Sequence, residues 1–86
     1  TNETKQKLSV LIDYITDLKT TDFTIEKLET NIMKLIEDKK LGTGDTLWPM
    51  RVALTGLEKS PGPFEMAWVL GKDETLSRLK NAVGKI

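Results

Sequence analysis

Apolar residues recur at three- and four-residue intervals along most of this chain, and that habit restricts what it can fold into. Leu8, Leu11, Ile12, Ile15 and Leu18 follow it between Glu3 and Lys19, which places them on one face of a helix. Thr20, Thr21 and Asp22 break that helix. Thr24 then caps a second one, with Glu26 in the first turn, where the helix dipole favours an anion. Ile25, Leu28, Ile32, Leu35 and Ile36 form the second stripe. Lys39 and Lys40 fall in its last turn, and Gly42 is placed to end it.

Three further segments are expected to be short, because glycine and proline divide them. Asp45 or Thr46 caps a third helix, with Pro49 in its first turn, running through Met50, Val52, Ala53 and Leu54 to Gly56. Ser60 caps a fourth, with Pro61 at its first position and Phe64, Ala67, Trp68 and Leu70 facing inward. Gly71 ends it. Asp73 caps a fifth, with Leu76, Leu79, Val83 and Ile86 inward. Nothing alternates with period two for long enough to make a strand. The expectation is an all-α fold: a compact bundle of about five helices, two longer and three short, forming one domain over residues 1–86. The first residue is Thr1, not Met, and the chain is expected to be a fragment of a longer polypeptide.

Composition narrows the chemistry. With 86 residues the core is thin. The chain has no cysteine and no histidine, which removes disulfides, thiolate metal sites, the commonest zinc ligand and the commonest general base. Basic and acidic residues balance at thirteen each, so bulk charge lends nothing to nucleic-acid binding. The end from Lys72 onward is mildly basic. No apolar run approaches the roughly 20 residues that span a membrane. "GTGD" follows a helix rather than a strand and lacks the Lys–Ser/Thr ending of a phosphate loop, so it reads as a helix–helix connection. Glu37/Asp38 and Asp73/Glu74 are sequence neighbours and diverge on a helix; Glu26 and Glu29 share a face but have no third ligand. No nucleophile–base pair is present. The residues contain no catalytic site and no metal site.

Arg51 is harder to place, being a cation within the apolar burst of the third helix. One reading is an arginine at the rim whose stem covers apolar surface, or a partner for Glu58 or Glu65. The other is a planar guanidinium fixed on a helix and offered to a nucleobase edge or a phosphate. Ser60 and Pro61 divide similarly, between a plain cap with a first-turn proline and a helix start whose free N–H groups face RNA. Trp48 and Trp68 are both able to stack on unpaired bases. Trp68 is expected in the core, one turn after Phe64, and Trp48 is open between the two roles.

The stretch "LWPMRVALTGLEKSPGPFEMAWVLGKDETLSRL" closely resembles the C-terminal part of bacterial-type glutamyl-tRNA synthetases. The likeness lies in Pro49, Met50 and Arg51, then Ala53, Leu54, Thr55 and Gly56, then Ser60, Pro61 and Gly62, then Phe64 and Glu65. It continues through Leu70, Gly71, Lys72 and Asp73 to Arg78 and Leu79. It covers residues 22–86, more weakly before Leu47. The resemblance implies an all-helical anticodon-binding module of a cytoplasmic class I synthetase. Its parent attaches glutamate to tRNA with ATP and Mg²⁺. The "HIGH"-like and "KMSKS"-like motifs of that chemistry are absent here and are expected upstream, so the chain itself is non-catalytic and holds no cofactor. By position, the resemblance puts Arg51 on an anticodon base, with Ser60, Pro61 and Pro63 lining the same pocket. Trp48, Thr55, Gly62 and Phe64 are possible further RNA contacts. Pro63 stands where an aliphatic residue is usual; it offers apolar contact but no N–H. Expected partners are the anticodon loop of tRNA and the upstream catalytic and helical domains, with no membrane. The alternative is a non-catalytic helical module that keeps this fold but binds protein.

Overall fold

The computed structural model describes residues 2–56 and 62–85. Five α-helices follow one another: α1 (Asn2–Asp17), α2 (Ile25–Asp38), α3 (Thr43–Thr55), α4 (Pro63–Leu70) and α5 (Lys72–Gly84). A 3-10 turn at Thr20–Asp22 joins the first two, where the three polar residues break the apolar stripe. No strand occurs among the described residues. The all-α fold class therefore stands, but the division into two longer and three short helices does not. The lengths are 16, 14, 13, 8 and 13 residues, so α4 alone is short.

The helix ends explain the difference. Thr24 caps α2 as expected, its hydroxyl accepting the Lys27 N–H at 3.3 Å. Gly42 does not end α2. Lys40 takes the left-handed conformation there, at φ 53°. The Leu41 N–H donates to the Ile36 carbonyl at 3.0 Å and the Lys40 N–H to the Glu37 carbonyl at 3.2 Å, the paired bonds of a Schellman stop. Lys39 and Lys40 thus lie beyond the last turn. Gly42, at φ 83°, instead opens α3, its carbonyl accepting the Thr46 N–H at 3.1 Å. Helix α3 therefore begins before Asp45 and Thr46, absorbs most of "GTGD", and carries Pro49 in its interior. Proline has no N–H to give, so the rung back to the Asp45 carbonyl is missing.

Two later caps also shift. The N-cap of α4 is Gly62 and its first residue is Pro63, so the expected cap at Ser60 with Pro61 following it is displaced by two residues. Ser60 and Pro61 themselves lie outside the described residues. Gly71 both ends α4 and caps α5, leaving Asp73 in the first turn rather than at the cap.

The buried core joins Leu8, Leu11 and Ile15 of α1, Phe23, and Leu28, Ile32 and Ile36 of α2. Met50 and Leu54 of α3, Ala67 of α4 and Leu79 of α5 complete it. Helix α3 touches all four others, as suits a helix apolar around most of its circumference. Helix α1 packs on α3 and α5, and α2 packs on α3 and α4. Trp68, expected inside, is 53% exposed, and its neighbour Val69 is 68% exposed. Pro63, Ala67 and Leu70 define the inner line of α4. Trp68 lies one residue, about 100°, past fully buried Ala67 and so turns off that line. Side chains bind the elements further. Lys72 Nζ donates to the Leu18 carbonyl at 2.5 Å, and buried Thr75 Oγ1 to the Ala67 carbonyl at 3.1 Å. The radius of gyration, 11.5 Å, is near the roughly 12 Å expected of a folded chain this long.

Candidate nucleic-acid interface

Arg51 lies in the middle of α3, half-buried. Its Nε is fully covered and meets no acceptor among the described residues. Leaving a buried donor unmade costs about 1–3 kcal/mol, so packing alone does not account for an arginine here. No ion pair joins it to Glu65, which is exposed; Glu58, its other expected partner, lies outside the described residues.

The end of α3 beyond Arg51 is held from several sides. Thr55 Oγ1 donates to the Arg51 carbonyl at 2.8 Å. Gly56 stops the helix in the left-handed conformation, at φ 72°, its N–H donating to the Val52 carbonyl at 2.7 Å. From α5, Arg78 Nη1 donates to the Leu54 carbonyl at 2.5 Å, while its Nε donates to Glu74 Oε1 at 3.1 Å. A guanidinium at a helix C-terminus satisfies an orphan carbonyl and complements the dipole. The Glu74–Arg78 pair was legible as an i, i+4 spacing. The Leu54 contact, 24 residues distant in sequence, was not.

Across the joint, Gly62 and Pro63 begin α4, which packs on α3. Pro63 is buried and Phe64 half-buried against the core. Pro63 therefore fixes the helix start and presents little apolar surface of its own. The structure brings the end of α3 and the start of α4 to one side of the bundle. It sets Trp48 apart. That indole is 53% exposed and lines a groove of about 1090 Å³ between α1, α3 and α5, together with Thr55 and Gly56. Arg51, Gly62, Pro63 and Phe64 do not line this groove. Among the described residues, no group of three or more acidic side chains gathers as a metal site would require. No helix among them is long and apolar enough to cross a membrane.

A family model described as an anticodon binding domain matches residues 1–83. The chain belongs to the anticodon binding domain family. The match includes α1, which the motif resemblance, confined to residues 22–86, had left out. Curated relatives of this anticodon binding domain include the glutamate–tRNA ligase of Clostridium kluyveri, 40% identical over 65 residues, covering 74% of this chain and 13% of the relative. That of Bacteroides thetaiotaomicron is 45% identical over 62 residues, covering 72% and 12%. That of Clostridium botulinum strain Eklund 17B is 33% identical over 79 residues, covering 91% and 16%. The chain spans about an eighth to a sixth of the length of these relatives. No solved structure matches it significantly.

Proposed function

We propose that this domain reads the anticodon of tRNA for glutamate, as the C-terminal module of a glutamate–tRNA ligase working in the cytoplasm. Glutamate activation with ATP and Mg²⁺ then belongs to catalytic and helical domains upstream in the same polypeptide. The observation that carries this reading is Arg51, whose buried Nε has no acceptor among the described residues on a helix whose end is fixed by Thr55, Gly56 and Arg78. Unpaired anticodon bases are splayed out and read on their edges, which calls for rigid, preplaced donors rather than broad positive charge. A neutral domain with one guanidinium carried on a helix fixed at its end meets that requirement, and the rest of the synthetase supplies most of the grip on phosphates. Ser60 and Pro61, between the two helix ends, complete the pocket in this reading. Pro63 acts by setting the start of α4.

The test is Arg51→Ala in the intact ligase. The expected result is a kcat/KM for tRNA lower by roughly 5- to 150-fold, equivalent to about 1–3 kcal/mol of base recognition, with helix content unchanged. An unaltered kcat/KM removes Arg51 from this role. A second reading, docking of protein, draws on the adjacent exposed side chains Trp68 and Val69. In that case, Trp68→Ser disrupts a protein contact while tRNA charging persists.

A further inference from the structure

We propose that the groove between α1, α3 and α5 seats an unpaired nucleotide of the same RNA. Its base rests on Trp48 and its flanking phosphates meet Lys7 and Lys85. The proposal rests on the RNA-binding reading above and adds a second site to it.

The groove has the parts that a single-stranded nucleotide needs. Its apolar wall carries Trp48 and Val52 from α3 and Leu8 from α1. A tryptophan is usually buried for most of its surface; this one is half-exposed within a concavity, with a ring face able to stack on any base. Lys7 enters from α1 and Lys85 from the C-cap of α5, and neither makes an ion pair among the described residues. Arg78 also lines the groove, but it is already engaged by the Leu54 carbonyl and Glu74. Glu3 and Asp45 line it too. With Arg78 paired to Glu74, Lys7 and Lys85 stand against Glu3 and Asp45, two against two, a balance that suits one nucleotide and not a long backbone. Position supplies the last argument. Thr55 and Gly56, at the end of the helix that carries Arg51, also line the groove. Trp48 lies one turn before Arg51 on α3, so a strand read by Arg51 passes into the groove beside it.

The two tryptophans, equally exposed, give the experiment an internal control. Trp68→Phe leaves Trp48 as the only indole, and Trp48→Phe leaves Trp68. Each chain is titrated with an RNA hairpin carrying the glutamate anticodon loop. The expected result is quenching of Trp48 emission with little change at Trp68. Trp48→Ala is expected to weaken binding about tenfold. Lys7→Gln combined with Lys85→Gln is expected to flatten the dependence of log affinity on log salt by about 1.4, two phosphates at about 0.7 each, with helix content unchanged.

Hairpin binding that depends on Arg51 but leaves Trp48 emission unmoved overturns the groove and spares the anticodon reading. No binding at any hairpin concentration overturns both. Trp48 emission that changes with chain concentration alone assigns the groove to a second copy of the chain. Protection of Lys7 and Lys85 from acetylation in the intact ligase before RNA is added assigns it to the upstream polypeptide. Either result overturns the proposal.

Discussion

Lys40 and Arg51 each depart from local preference, and each departure has a measurable effect. Lys40 sits at φ 53°, where a Cβ costs about 1–2 kcal/mol and glycine costs nothing sterically. Lys40→Gly is expected to raise stability by about 0.5–1 kcal/mol, read as a higher urea midpoint with an unchanged slope. Arg51 buries an unpartnered donor. Arg51→Met keeps the apolar stem and removes the orphan nitrogen, so the free domain is expected to melt no lower than the parent while recognition is lost. A third residue-scale effect concerns pH. Lys27 donates to Asp22 Oδ1 at 2.7 Å. This bond, helped by the charge, holds the Asp22 carboxyl below its ordinary 3.8 and lifts the Lys27 ammonium above 10.5. A depressed carboxyl stabilises the fold above its unfolded value and loses that contribution as pH falls through the lowered one; a raised ammonium loses its contribution as pH climbs through the raised one. The tie therefore holds between those limits. Carboxyl NMR should place the Asp22 midpoint below 3.8, and Lys27→Gln should return it upward.

Among the elements, helix stops matter more than helix propensity. Gly56 ends α3 at φ 72° with open space where a Cβ would stand, so Gly56→Ala meets no clash and suffers only the backbone penalty. A loss of about 1–2 kcal/mol in chemical denaturation is expected. The sequence announced this stop, and also the stop at Gly71 and the cap at Thr24, because each uses a residue whose local chemistry is specific. It misplaced Gly42 because a lysine took the left-handed position two residues earlier, a choice imposed by the Ile36–Leu41 closure and not by preference. It misplaced the start of α4 because Pro61 and Pro63 are equally good first residues, and only packing against α3 chooses between them. Trp68 was put inside on its spacing from Phe64, yet Phe64 itself lies at the edge of the inner face. For the site, Arg51 and the residues about Gly56 were legible as a motif. The groove at Trp48, which Arg51 one turn on does not line, and the reach of Arg78 to Leu54 depend on how helices distant in sequence are stacked.

At the scale of the whole molecule, α3 is the hub, and the bundle has little stability to spare. A domain of 86 residues holds about 4–13 kcal/mol in all. Leu54 is fully buried at the centre, and Leu54→Ala is expected to remove about 2–5 kcal/mol. Because every other helix rests on α3, that loss should lower one cooperative transition rather than release a single helix. Tryptophan emission and far-ultraviolet dichroism should give coincident melting curves in both parent and variant; separated curves indicate that α4 and α5 melt independently. The packing of α1 against α5 also has a consequence for synthesis. Within this domain, the first helix to leave the ribosome leans on α5, the last of the five. Until Leu79 has emerged, the stripe of Leu8, Leu11 and Ile15 lacks the cover that α5 gives it and stays bare to solvent. The nascent domain is thus a client for chaperones until α5 appears, and a pause in translation near Gly71 would lengthen that exposure.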